Sequence, residues 1–283
     1  MRKLLDLKRA LGTSTIKAVP LPDVWTGLSA QSIKFRRGQV CMVAAAPNAG
    51  KSMLALVYAI KAGIPTLFFS ADTDTATVML RTAAAVSGHT QATVEQNLDR
   101  QPAYYDEAMA QADHIQWVFD SSPSLDDIEM EVKAYVELYG EMPQLIVVDN
   151  LMNVVAETDN EWAGLRAIMA ELHDMARKTE ACVMVLHHVS EATEYGSPEY
   201  PPPRRAIHGK VSQLPAMICT LGYDPLNKSL RVAAVKNRFG KHTANGTEYA
   251  TFSVNFASCQ IESVTSEAGR MFYRDAQYAN RQQ

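Results

Sequence analysis

Ala45-Ala46-Pro47-Asn48-Ala49-Gly50-Lys51-Ser52 decides the reading of this chain. The octet fits a phosphate-binding loop, four variable residues followed by Gly-Lys-Ser, with Ala45 at the place where glycine is commoner. Its flanks agree with that reading. Residues 39–44 are a near-continuous apolar run that predicts a buried strand, and 53–60 form the apolar start of a helix. A strand feeding a tight loop and then a helix leaves several backbone N–H groups unpaired and pointing one way. Together with the positive end of the helix dipole, those donors suit a nucleoside di- or triphosphate. The expected nucleotide-binding residues are Pro47, Asn48, Ala49, Gly50, Lys51 and Ser52. Lys51 reaches the β- and γ-phosphates, and the Ser52 hydroxyl is a ligand of Mg2+. Gly50 is required because a side chain there would hold the backbone away from the phosphates. The alternative, a chance Gly-Lys-Ser turn, leaves the order strand, loop, helix unexplained.

The 283 residues suit one large α/β domain with short appendages. A hydrophobic share of 47% and a charged share of 20% exclude a disordered or fibrous chain. The formal charge of −4 gives no global attraction to nucleic acid or anionic lipid, so any such contact needs a local basic patch. Cys41, Cys182, Cys219 and Cys259 lie in apolar, strand-like runs and form no paired motif, which reads as core packing in a reducing compartment. No apolar run approaches the roughly 18–20 residues that span a bilayer, and the charged N-terminus is too short for a secretory signal. A cytoplasmic protein without a membrane partner is expected.

Residues 1–12 set Leu4, Leu5, Leu7 and Leu11 against Arg2, Lys3, Lys8 and Arg9, a short amphipathic pattern that must dock on its own core or on a neighbour. Residues 12–22 read as a linker. Beyond the phosphate loop, strands are predicted over 65–70, 115–119, 144–149 and 181–186. Helices are predicted between them, through Val78 to Ala85, from a capping box at Ser124 and Asp127, and over 161–178. The Gln-rich stretch 88–113 reads as two short surface helices. This alternation predicts a mainly parallel central sheet with helices on both faces. Short strands over 217–221, 230–235, 250–254 and 260–264 predict an antiparallel C-terminal end. The tail mixes Arg270, Arg274 and Arg281 with Phe272, Tyr273 and Tyr278, a frayed surface segment or a base-stacking one.

Asp149 closes four apolar strand residues, where an acidic side chain orients Mg2+ through its water shell; capping a helix is the other use of such an aspartate. Ligands of open parallel sheets sit at strand C-termini, so Asp149 and the phosphate loop converge.

The order of motifs resembles the RecA-like P-loop ATPase core of the DnaB-type hexameric replicative helicases, without that family's N-terminal domain. Leu67-Phe68-Phe69-Ser70-Ala71-Asp72 is similar to its second-strand segment ending in Ser-Leu-Glu. Leu145-Ile146-Val147-Val148-Asp149-Asn150-Leu151 is similar to its Leu-Ile-Val-Ile-Asp-Tyr-Leu. Val185-Leu186-His187-His188-Val189 matches the strand ending in a γ-phosphate sensor, and Val235-Lys236-Asn237-Arg238-Phe239-Gly240 matches a Lys-x-Arg turn that reaches the next subunit's site. The resemblance covers roughly residues 30–266 and divides the chain into an N-terminal segment (1–22), an ATPase domain (23–266) and a tail (267–283).

That resemblance implies ATP and Mg2+ as cofactors and assigns roles by position. Asp72 polarises the attacking water, although the family residue is glutamate; a misplacement of about 1 Å costs on the order of 100-fold in rate. Asp74, or an Asx-type helix cap at Asp72, is the alternative. His188 senses the γ-phosphate; a metal-binding pair with His187 lacks further ligands at useful spacing. Lys236 and Arg238 supply positive charge in trans, or form an ordinary basic turn. The loop after Asp149 carries Glu157, Asp159 and Glu161 and suits DNA poorly. The loop after His188 ends in Pro201-Pro202-Pro203-Arg204-Arg205-Ala206-Ile207-His208-Gly209-Lys210, so Arg204, Arg205 and Lys210 are the DNA-backbone candidates, with a plain basic surface loop as the alternative. The implied partners are single-stranded DNA, further copies of the chain in a hexameric ring or filament, and other replication or recombination proteins. A minimal helicase or translocase leads; a RecA-like recombinase or annealing ATPase that coats DNA without unwinding it is second, and a small-molecule kinase third.

Overall fold

The computed structural model describes residues 18–156, 158, 160–190 and 195–264, with Lys210 described by its backbone alone. The amphipathic pattern in 1–12, Glu157 and Asp159, and the aromatic and basic tail lie outside the described residues.

The elements in chain order are α1 (Thr26–Ala30), β1 (Val40–Ala45), α2 (Lys51–Ala62), β2 (Thr66–Ser70), α3 (Thr75–Ser87), α4 (Gln91–Asn97), α5 (Pro102–Met109), β3 (Ile115–Val118), α6 (Leu125–Tyr139), β4 (Leu145–Asp149), α7 (Glu161–Thr179), β5 (Cys182–His188), β6 (Met217–Asp224), β7 (Ser229–Asn237), β8 (Tyr249–Asn255) and β9 (Gln260–Ser263). Among the described residues the strands form one nine-stranded sheet in the order β3-β2-β4-β5-β1-β6-β7-β8-β9. The pairs from β3 to β6 are parallel and those from β6 to β9 antiparallel, as the change in sequence pattern predicts.

The central strands are apolar along their whole length because both faces are covered. On β1, Cys41, Val43 and Ala45 face the layer that holds α2, while Val40, Met42 and Ala44 face α6 and α7. The period of two thus splits one strand between two cores. Helix α7 is capped by Asn160, whose side chain accepts the Ala163 N–H, and buries Leu165, Ile168, Met169 and Leu172 on one stripe. Each such side chain contributes roughly 1.5–3 kcal/mol relative to exposure. The capping box of α6 forms as its sequence requires: Ser124 accepts the Asp127 N–H and Asp127 accepts back from Ser124.

Two features depart from the pattern read in the sequence. The stretch 88–113 does form two short helices, yet Val94 and Tyr105 are buried with Ala83 and Ala84 of α3 in a small third core. Residues 18–22, the end of the segment read as linker, are docked: Leu21 is buried, and its N–H donates to the Phe35 carbonyl. Trp25 continues that docking, donating from Nε1 to the Ile261 carbonyl at 3.0 Å between the rings of Tyr58 and Phe252.

Candidate nucleotide site and basic loop

The strand C-termini gather the chemistry. Ser70 stands beside Asp149, and Ala45 beside His188, so the phosphate loop, Asp149 and His188 leave the sheet at one edge. Leu145 and Val147 pack on the α2 side, and so does Leu186. The period of two therefore turns Asp149 and His188 toward the N-terminus of α2 as well.

Gly50 caps α2 with φ +90° and no side-chain cap. By helix geometry the N–H groups of Lys51, Ser52 and Met53 have no carbonyl one turn back to receive them; the first intrahelical bond runs from Leu54 to Gly50. A Cβ at Gly50 would stand 3.1 Å from the Phe256 ring, which adds packing to the reasons for glycine here. Pro47 and Asn48 are exposed, Asn48 with φ +60°, whereas Ala49 and Lys51 are buried.

Asp149 is 2% exposed, and its Oδ1 lacks a hydrogen-bond partner within the chain. Burial raises its pKa; the Ser52 hydroxyl bonded to it and the Lys51 ammonium oppose the rise, Asp72 adds to it, and Arg81 opposes it. Ser52 thus bonds this carboxylate, and the charges of Lys51, Asp72 and Arg81 act on it. Asp72 is exposed, and the helix cap falls to Asp74, which accepts from the Thr77 backbone and hydroxyl. The donor set suits a hydrated divalent cation: a buried carboxylate oxygen with unused lone pairs stands beside a serine hydroxyl.

Asn150 joins the two motif strands. Its Oδ1 accepts from the Met152 N–H at 2.8 Å, which turns its amide nitrogen toward His188 Nε2 at 3.4 Å. Nε2 is thus the acceptor, and a neutral His188 ring carries its proton on Nδ1. His187 points to the opposite face of the sheet, where it is fully buried, so the two imidazoles do not form a metal-binding pair.

Lys236 and Arg238 lie elsewhere. Asn237 pairs with Met217, and Met217 with Cys41, four residues before the phosphate loop. At about 3.3 Å per residue this is roughly 13 Å along β1 toward the opposite end of the sheet. Lys236 donates to the Ser212 and Gln213 carbonyls at 2.9 and 2.6 Å. Burial, with help from Arg238 and Arg204, lowers its pKa to about 8. Arg238 is exposed.

Arg204 and Arg205 are exposed on a 3-10 turn, with the Arg205 guanidinium 5.7 Å from the centre of the Tyr195 ring. This turn hangs from the end of β5: Val189 bridges to Ile207, and the Ser190 N–H donates to the Ala206 carbonyl at 2.8 Å. Lys210 falls on the next 3-10 turn, His208–Gln213. The first loop turns at Leu151–Asn153 and reaches α7 without a described basic side chain.

Three residues at or beside this site escaped the sequence reading. Arg81 sits nine residues after Asp72 on α3, and a basic residue two turns into the helix behind an acidic loop was the available signal. Phe256 lies against Gly50 from the β8–β9 turn, which is held by Gln91 and Gln260 and packed on Tyr223; nothing in the local sequence marks it. His187 was read only as a possible metal partner.

Residues 31–194 match the family described as AAA domain. The Gene 65 protein of Mycobacterium phage L5 is 40% identical over 257 residues, covering 86% of this chain and 92% of the relative. That of Mycobacterium phage D29 is 39% identical over 233 residues, covering 78% and 97%. The fold is similar to that of a DnaB-like replicative helicase solved for its interactions with primase, at TM-score 0.77 and 14% identity over 91% of this chain and 66% of that one. A second solved structure, an ATPase domain, is similar at TM-score 0.78 and 15% identity over 92% and 99%. The RadB recombinase follows at TM-score 0.56 and 16% identity over 86% and 99%. No helix among the described residues is long and apolar enough to cross a membrane.

Proposed function

This chain belongs to the AAA domain family and has the RecA-like core of DnaB-type ATPases, and from that premise we propose that it is an ATP-driven helicase or translocase on single-stranded DNA. The observation that carries the reading is the division of the charged groups between two ends of one sheet. Lys51, Ser52, Asp149, Asp72 and His188 meet at the strand C-termini, whereas exposed Arg238 stands at the other end, beyond reach of its own phosphate loop. An assembly that stacks one end against the next copy's other end completes the site.

In this mechanism the loop backbone and Lys51 hold the β- and γ-phosphates of ATP. Ser52 and Asp149 would hold Mg2+, which would supply positive charge to the phosphates. Asp72 orients the attacking water; Asp74 is already committed to capping α3. Arg238, with Lys236 behind it, stabilises the charge of the transition state on the neighbouring copy. His188 loses an anionic partner on cleavage and passes the change along β5 to the turn of Arg204 and Arg205. Those arginines, with Lys210, grip DNA phosphates irrespective of sequence.

The test is the ATPase rate with and without single-stranded DNA for wild type, Lys51→Ala, Asp72→Asn and Arg238→Ala. All three variants lose stimulated turnover. DNA-independent phosphate transfer to a metabolite would contradict the motor reading. A recombinase or annealing ATPase remains the second reading, favoured by the short reach of Asp72. Strand displacement against annealing on one forked substrate, with and without ATP, separates the two.

A further inference from the structure

His187 is a fully buried imidazole at the end of an otherwise apolar strand. Its Nε2 lies 3.0 Å from the His208 carbonyl oxygen, and its Nδ1 has no partner. A carbonyl only accepts, so Nε2 carries the proton and Nδ1 is a bare lone pair; burial agrees, pushing the ring's pKa down to about 4. Leaving one buried acceptor unmade is unfavourable, a cost that Val or Leu at this place would avoid. The bond that His187 does make is therefore the feature to explain.

That bond reaches the basic segment. His187, Val189 and Ser190 tie the end of β5 to His208, Ile207 and Ala206 in turn. From the far side, the His208 ring contacts Glu161 at 3.3 Å and packs near Trp162 at the start of α7. A Cβ at Gly209 would come within 2.7 Å of Leu165, so the segment lies close on α7. Residue 188, between these anchors, stands beside Ala45 and is turned to the side of the sheet that holds the phosphate loop.

We propose that His187 is a positioning residue: its Nε2–H···O bond to His208 makes the segment 204–210 move with the end of β5, so that nucleotide occupancy at His188 is felt by Arg204 and Arg205. The inference rests on the nucleotide reading of His188 and does not require that the ligand of the arginines be DNA.

The test is amide hydrogen exchange over 204–210 in the full-length protein, with Mg2+ and either ADP or a non-hydrolysable ATP analogue. In wild type the two nucleotides give different protection. His187→Leu and His187→Met keep the bulk without the donor and abolish that difference, while ATP affinity stays within twofold. His187→Gln, whose amide nitrogen reaches to about the same place, restores it. No nucleotide-dependent difference in wild type, or a wild-type difference in the donor-free variants, overturns the proposal. Should neither donor-free variant fold, the His187 imidazole 15N resonances of wild type decide: a change between the two nucleotides supports the role and constancy overturns it. Poly(dT) binding is measured alongside. Its absence, with the exchange difference intact, removes the DNA reading and leaves the positioning role standing.

Discussion

Asp74 accepts both the backbone N–H and the hydroxyl of Thr77, at 3.0 and 2.7 Å, and so closes the N-terminus of α3. Asp72, two residues earlier, is left exposed at the loop with its charge felt by Asp149. The two aspartates are therefore separable. Asp72→Asn lowers ATP turnover by on the order of 100-fold or more, while Asp72→Glu, which adds the missing methylene, retains or improves it. Asp74→Ala lowers the thermal midpoint and leaves turnover within a few fold. Steady-state ATPase and thermal melts of the three variants check this.

Asp149 is held in the chain at a cost to folding. Its pKa is raised by burial, so the folded protein disfavours the charged carboxylate and loses stability as pH rises through the carboxyl range. Asp149→Asn removes that charge. The variant is more stable than wild type without nucleotide, by roughly 1 kcal/mol, and loses Mg2+-dependent ATP binding by roughly 100-fold. Denaturant unfolding without ligand and nucleotide titration with and without Mg2+ give the two quantities.

His187 makes the protein sensitive to acid. Its folded pKa is about 4, against 6.5 for an exposed histidine. Between these values the unfolded chain binds a proton that the folded one does not, so stability falls as pH drops from about 6.5 to 4. At the lower limit the loss is roughly 3 kcal/mol. His187→Gln, which has nothing to titrate, shows a shallower fall over the same window in chemical denaturation.

The arginine turn carries a salt signature. If Arg204 and Arg205 each neutralise one phosphate, the slope of log affinity for poly(dT) against log salt drops by about 0.7 for each arginine replaced by alanine. Fluorescence anisotropy across a salt series measures the slope. An unchanged slope in the double variant assigns the turn to another use.

The strands, the phosphate loop and Asp149 were legible because each depends on local pattern: a continuous apolar run, a fixed spacing, and an acid at a strand end. The change to antiparallel pairing after β6 was legible for the same reason. Val94 and Tyr105 were not, since α4 and α5 are short, and one buried side chain in α4 and two in α5 are too few to show a period. Phe256 and Trp25 act through partners far away in sequence, at Gly50 and Ile261, and carry no local mark. His187 and His188 look alike in sequence; the pleat alone separates the fully buried ring from the one turned to the phosphate-loop side of the sheet.

In the proposed motor ATP is cleaved between copies of the chain, with Lys51 from one and Arg238 from the next. The direct measurement is the DNA-stimulated ATPase of Lys51→Ala mixed with Arg238→Ala, each inactive alone. A mixed interface can pair an intact phosphate loop with an intact arginine, so part of the wild-type rate returns and rises to a maximum near equal proportions. A mixture no faster than either variant alone, under conditions where the copies exchange, would contradict cleavage between copies.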